Sequence, residues 1–267
     1  MYASAEGLPF RPAIQIDIAH ARVFEPTLLH ARVDPDIIMD DDDALTGAAP
    51  GFWRELRREY EAVGAAPSVH LPFHGLNLGS RSRSVRELSM SLLSAGLRAA
   101  AELGAVSAVM HTGFVPLVSR KAAGKWLEAF LPPFERLLAE AEELGIPLAL
   151  ENTWERTPAL FERIGEAVGR RFRYCLDTGH CSVYSELSVS EWADFMGDDL
   201  AVLHLHDNDG REDLHLPPGR GALDFRPLAP VILERRPRVV FETKPRHLRE
   251  ELAFLRGLLS GRAAARP

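Results

Sequence analysis

The densest chemistry in the chain lies in residues 204–221, HLHDNDGREDLHLPPGRG, where His204, His206 and His215 share one stretch with Asp207, Asp209, Glu212 and Asp213. Val202 and Leu203 precede it, so a strand runs into a cluster of side chains able to bind metal. His204 and His206 are two residues apart, and on a strand they point to the same side. Asp213 and His215 repeat that spacing. Imidazole and carboxylate together suit zinc or a related divalent ion.

The elements that would position these groups alternate short apolar runs with longer amphipathic ones. Strands are expected at 13–19, 36–40, 66–73, 105–111, 146–151, 172–177, 200–206 and 238–242. Helices are expected at 50–64, 84–104, 125–145, 157–169, 189–197 and 246–260. Pro at the start and Gly at the end frame the first of these. Thr157 is expected to cap the fourth, with Pro158 in its first position. Pro132–Pro133 predicts an irregularity in the third. RSRSVR (81–86) reads as the start of a helix, and Asp40–Asp43 as a solvated loop after a strand. Eight strands, each followed by a helix or long loop, predict a parallel α/β fold. The length of 267 residues fits a single (β/α)8 TIM barrel spanning 1–267.

A second regularity concerns parity along the strands. One parity reads Ser68/His70, Ser107/Val109/His111, Pro147/Ala149/Glu151, Cys175/Asp177, Val202/His204/His206 and Val240/Glu242. The neighbours of opposite parity are mostly Leu, Ile, Val, Phe or Met. In a barrel one parity faces the interior and the other packs beneath the helices. Small residues low in the strand and a His or carboxylate at its C-terminal end place the active site at that rim. Seven of the ten histidines (His70, His74, His111, His180, His204, His206 and His215) fall in these strand-end segments. Several carboxylates meeting in one pocket repel each other unless a cation neutralises them, which again points to a bound metal.

The bulk properties exclude some function classes. A net charge of −7 gives no electrostatic footprint for non-specific nucleic-acid binding. The start, MYASAEGLPFRP, has no apolar leader segment, and no apolar run approaches the ~20 residues of a membrane span. Cys175 and Cys181 make no disulfide framework, which fits a reducing cytoplasm.

Strands three to eight carry a family resemblance. The motifs HLPFHGLNLGS, HTG, LENT, DTGH, HLHDNDG, DLHLPPGRG and the late FE resemble the xylose-isomerase-like TIM-barrel superfamily of sugar isomerases, epimerases and the endonuclease IV group. Residues 1–65 match that pattern poorly, and His74 stands where relatives often have an acidic residue. In the isomerases and epimerases the resemblance implies one metal on Glu151, Asp177, His206 and Glu242, the two glutamates doubling as acid and base. In the endonuclease IV group it implies three zinc ions. His70, His111 and Glu151 would hold one. Glu151, Asp177, His206 and Glu242 would hold the second, and His180, Asp213 and His215 the third. His204 competes for the place of His206, which lies nearer the strand end; His204 would then orient ligands or contact substrate.

Two chemistries fit this rim. The first is divalent-metal-dependent isomerisation or epimerisation of a sugar or sugar phosphate through an enediolate, with Glu151 and Glu242 exchanging the proton. Arg211 or Arg220 would clamp a phosphate or hydroxyls, while His74 and Trp154 would line the pocket. The alternative is a multi-zinc phosphodiesterase acting at abasic sites in DNA. One to three ions are expected, zinc foremost, with manganese, magnesium or cobalt as substitutes. The expected partner is a small sugar, with nucleic acid only under the alternative, and the chain could pair as a homodimer.

Overall fold

The computed structural model describes residues 4–22, 31–116 and 119–261. Its framework is eight parallel strands: β1 (Ala13–Asp17), β2 (Asp34–Ile38), β3 (Ser68–His70), β4 (Ala108–His111), β5 (Leu148–Glu151), β6 (Arg173–Asp177), β7 (Leu200–Leu205) and β8 (Arg238–Phe241). They pair in sequence order, and β1 returns to β8 through Ala13 with Val240 and Ile14 with Phe241, closing a barrel. Around it run α1 (Asp42–Thr46), α2 (Phe52–Ala62), α3 (Arg83–Leu103), α4 (Arg120–Leu144), α5 (Ala159–Val168), α6 (Thr178–Tyr184), α7 (Val189–Met196), α8 (Leu228–Arg235) and α9 (Leu248–Leu259). The single (β/α)8 barrel expected from the sequence is the observed fold. No helix among the described residues is long and apolar enough to cross a membrane.

Strand parity sorts the core into two parts. Ala13, Val109, Ala149, Cys175, Val202 and Val240 form a separate cluster of small side chains inside the barrel. The opposite parity feeds the larger outer core, where Phe130, Phe134, Phe161 and Phe241 are fully buried. Each such side chain contributes about 1.5–3 kcal/mol by leaving water. Polar pairs close the N-terminal end of the barrel. Arg238 Nε donates to Ser68 Oγ at 2.7 Å, and Arg11 Nε lies 3.0 Å from Asp34 Oδ1. The small plug and this polar floor leave the C-terminal rim as the open end.

Four local expectations need correction. Asp40–Asp43 is not a plain solvated loop: Asp41 caps α1 by accepting from the Ala44 amide, and Asp40 accepts from the amides of Phe73 and His74 at 2.8 and 3.0 Å. Thr157 does not cap α5, whose N-cap is Pro158 with no side-chain hydrogen bond. Strand β1 ends at Asp17, before a single 3-10 turn over Ile18–His20. Helix α4 begins at Arg120 and runs through both Pro132 and Pro133. The prolines cost hydrogen bonds, but Phe130 and Phe134, stacked with centroids 4.8 Å apart and fully buried, hold that turn in place.

Candidate active site and metal centre

Glu151, the last residue of β5, is the hub of the rim and is fully buried. Four imidazoles surround its carboxylate. His70 Nε2 and His204 Nδ1 each lie 3.2 Å from Oε2, while His180 Nδ1 and His111 Nε2 lie 3.0 and 3.4 Å from Oε1. Burial alone would raise this carboxyl; the His111 and His204 imidazoles hold it well below the usual carboxylate range. His111 itself is pushed down by burial, which favours the neutral imidazole that a metal ligand must be.

The DTGH segment shows why these residue types occur in this order. Asp177 ends β6 and caps α6, accepting from the His180 amide at 2.6 Å. Thr178 Oγ1 bonds the carbonyls of His204 and His206 at 3.1 and 2.9 Å, tying α6 to β7. Gly179 sits directly against the His206 ring, where any Cβ would collide with it. Asn152 clamps the neighbouring strand end. Its Oδ1 accepts from the Asp177 amide at 2.8 Å, and its Nδ2 donates to the Asp177 carbonyl at 3.0 Å. The Asp177 carboxylate is thereby set 2.9 Å from His206 Nε2.

Beyond β7 the loop divides into structural and chemical residues. Asp207 accepts from the amides of Gly219, Gly221 and Leu223 at 3.0, 2.8 and 3.1 Å, folding the Pro-Gly segment back on itself. Asp213 and His215 point the other way. Asp213 approaches His180 Nε2 at 3.3 Å and His215 Nε2 at 3.4 Å. His215 adopts a positive φ of 48°, uncommon for a side chain of its kind. In that conformation its ring stacks on His206 with centroids 4.0 Å apart, and Nδ1 lies 2.8 Å from the Glu242 carbonyl. Burial opposes protonation of His215, but Asp213 raises it to about 9.

Glu242 completes the ring just beyond β8. Its Oε1 accepts from Gln15 Nε2 at 2.6 Å and lies 2.9 Å from His204 Nδ1. His206 Nε2 is 3.7 Å from its other oxygen. Sets of ligand atoms fall within 4.8 Å of one another: His70, Glu151, His204 and Glu242; Asp177, His206 and Glu242; Glu151, Asp177 and His180; His180, His206, Asp213 and His215. Several of these atoms are buried without a well-directed hydrogen-bond partner: Glu151 Oε1, both ring nitrogens of His204, His206 Nδ1 and Asp213 Oδ1. Unsatisfied buried donors and acceptors are costly. A mixed imidazole and carboxylate set with unused lone pairs fits divalent cations.

A cavity of about 640 Å³ opens above this cluster. Of the residues expected from sequence, His70, His74, His111, Glu151, Trp154, His180, Asp213, His215 and Glu242 line it, while Asp177, His204 and His206 lie buried beside it. The two expected clamps are not brought there. Arg220 lies outside the cavity and pairs with Glu250 at 2.8 Å, and Arg211 is exposed on the turn held by Asp209. Sequence reasoning missed Gln15, Asp40 and Tyr184. Gln15 carried a readable signal, a polar residue at interior parity in AIQIDIA. Asp40 holds the cavity-lining His74 through an ion pair with Nδ1. Tyr184 stands one helical turn past His180.

A model of the xylose isomerase-like TIM barrel matches residues 22–258. The chain belongs to this family. Among curated relatives, the probable endonuclease 4 of Mycobacterium leprae is 28% identical over 211 residues, covering 72% of this chain and 79% of that protein. An uncharacterized protein of Methanocaldococcus jannaschii, MJ1311, is 28% identical over 198 residues, covering 71% and 67%. Among solved structures, the TTHB071 protein of Thermus thermophilus, soaked with zinc chloride, superposes with a TM-score of 0.80 at 29% identity over 97% of this chain and 100% of that one. A D-tagatose 3-epimerase-like protein gives the same TM-score, 0.80, at 21% identity over 94% and 97%, a likeness of fold.

Proposed function

We propose that the protein is a divalent-metal-dependent sugar isomerase or epimerase that works through an enediolate, returning the abstracted proton to the adjacent carbon (isomerisation) or to the opposite face of the same carbon (epimerisation). The observation that supports it best is the convergence of two carboxylates from separate strands, Glu151 and Glu242, on one cavity with His204 between them. Two such groups on opposite faces of one substrate can remove a proton and return it with inversion. Glu151 or Glu242 takes the proton from the carbon beside the carbonyl, and the other returns it. Gln15 orients Glu242 by its hydrogen bond, and the imidazoles around Glu151 keep that carboxylate ionised and ready to accept. Glu151, Asp177, His206 and Glu242 would hold the principal ion, with His70 and His111 or His180, Asp213 and His215 available for others. A divalent ion there would polarise the sugar carbonyl and make the neighbouring proton more acidic.

A second reading, multi-metal phosphodiester hydrolysis, is favoured by the His180, His206, Asp213 and His215 set and by the endonuclease 4 relatives. The cavity lining argues against it, since among the described residues it contains no Lys or Arg to grip a phosphate backbone. The deciding experiment incubates the metal-loaded protein with ketoses in deuterated water and, separately, with an abasic-site oligonucleotide. Deuterium entering the sugar carbon skeleton, abolished by Glu151→Gln, is the expected result. Strand cleavage without exchange would overturn the isomerase reading.

A further inference from the structure

The cavity extends beyond the reacting carboxylates along a row of rings. His180 lies against Glu151, its ring centroid is 6.1 Å from that of Tyr184, and Tyr184 is 4.3 Å from Trp154. Trp154 is 44% exposed although its indole lines the cavity. Val115, in the cavity wall, is also exposed. Two of the seven exposed large apolar side chains among the described residues, Trp154 and Val115, thus line this one opening. Scattered apolar residues mean little, but a group of them at a cleft marks a ligand surface. Among the described residues no Lys or Arg lines the opening. Arg220 is held by Glu250 outside the cavity, and Arg156 pairs with Glu186 at 2.6 Å. Finally, 640 Å³ falls in the range of about 300–1,000 Å³ that holds drug-sized ligands, well beyond what one pyranose ring fills.

We infer that Trp154, braced by Tyr184, is the stacking platform of a second-ring subsite, and that the preferred ligand is an uncharged reducing disaccharide, whose free carbonyl end reacts. The inference rests on the sugar reading above and deepens it. The ring that reacts sits between Glu151 and Glu242, while the attached ring lays its C–H face on the indole, one ring further out. An aromatic face tolerates many sugar rings but rejects a phosphate, whose charge it cannot neutralise.

The test uses the full chain loaded with zinc or manganese and three probes sharing a fructosyl end: D-fructose, D-fructose 6-phosphate and isomaltulose, in which a glucosyl ring occupies the position of the phosphate. Titration calorimetry measures binding directly, independent of turnover. Isomaltulose is expected to bind about tenfold more tightly than D-fructose, with D-fructose 6-phosphate weakest. Trp154→Ala should remove that preference, and Trp154→Phe should restore most of it. Tightest binding by D-fructose 6-phosphate, or an equal loss for all probes in Trp154→Ala, overturns the subsite. Equal binding of D-fructose and isomaltulose overturns it too and leaves the sugar reading standing. Failure of all three to bind the metal-loaded protein overturns the sugar reading itself.

Discussion

His204 Nδ1 lies 2.9 Å from Glu242 Oε1 and is fully buried, so one imidazole sits between the two carboxylates that face the cavity. Removing it leaves Glu151 and Glu242 facing each other with less compensating charge. Breaking a buried charge pair typically costs about 3–5 kcal/mol. His204→Asn is expected to lose stability of that order in the presence of chelator and to regain most of it when zinc is added. Urea denaturation in both conditions measures it; equal stability of variant and parent in chelator would refute the neutralising role.

Ion binding should be readable as stability. A ligand that binds only the folded state adds about 2.7–4 kcal/mol at 100 to 1,000 times its dissociation constant. Dialysis against chelator is expected to lower the melting temperature and added zinc to restore it. The double change Asp213→Ala with His215→Ala should reduce the bound metal measured by mass spectrometry without abolishing it. Unchanged stoichiometry would remove those two residues from the ligand set.

Asp40 pairs with the exposed imidazole of His74, which lines the cavity, and an ion pair with an exposed partner is worth about 0–1 kcal/mol. Asp40→Asn keeps an oxygen for the amides of Phe73 and His74 but loses the charge that fixes the imidazole. We expect the melting temperature to hold and KM to rise severalfold at nearly constant kcat, as for lost uniform binding. A large fall in kcat instead would place His74 in the chemistry.

Gly179→Ala tests the close approach of α6 to β7. A Cβ there runs into the His206 ring, and neither element is free to withdraw because Thr178 pins both backbones. Overpacking of this kind costs about 1–3 kcal/mol, and metal affinity should fall with it as His206 is displaced. Unaltered metal binding would mean that His206 is not a ligand.

Glu251, fully buried in α9, has one oxygen on the Thr243 hydroxyl and the other without a partner. Burial raises its carboxyl to about 7. A folded-state value above the unfolded one means the folded form binds the proton more tightly. Its contribution is therefore complete below about 4.5 and is lost as pH rises through about 7. Glu251→Gln should flatten this dependence and be the more stable form at pH 8 by on the order of 1–3 kcal/mol. Parallel pH profiles of variant and parent in denaturant titrations would refute the assignment.

Strands were legible in the sequence because a parallel barrel imposes two constraints at once, apolar runs for burial and small residues at interior parity. Val109, Ala149, Cys175, Val202 and Val240 satisfy both, and the structure gathers them with Ala13. The rim was legible for the same reason, since Glu151, Asp177 and His204 continue that parity upward. Helix α6 was not. Its sequence, TGHCSVY, opens on Thr178 and Gly179 and has little helical propensity; Asp177 and the packing of β7 impose the helix. Helix α8 was hidden by Pro230 in its first turn. The guanidinium clamps failed because charge and proximity in sequence do not fix direction: Arg220 finds Glu250, thirty residues away, before it can reach the cavity.

The hydrogen bond from Gln15 to Glu242 joins residues 227 positions apart, one on the first strand and one just past the last. A chain still emerging during synthesis therefore holds every earlier rim residue before it can complete the site. Under the metal-dependent function proposed above, ion capture would be a clock for the final seam: stopped-flow metal capture after refolding should lag the appearance of helical signal by the time the two ends take to meet.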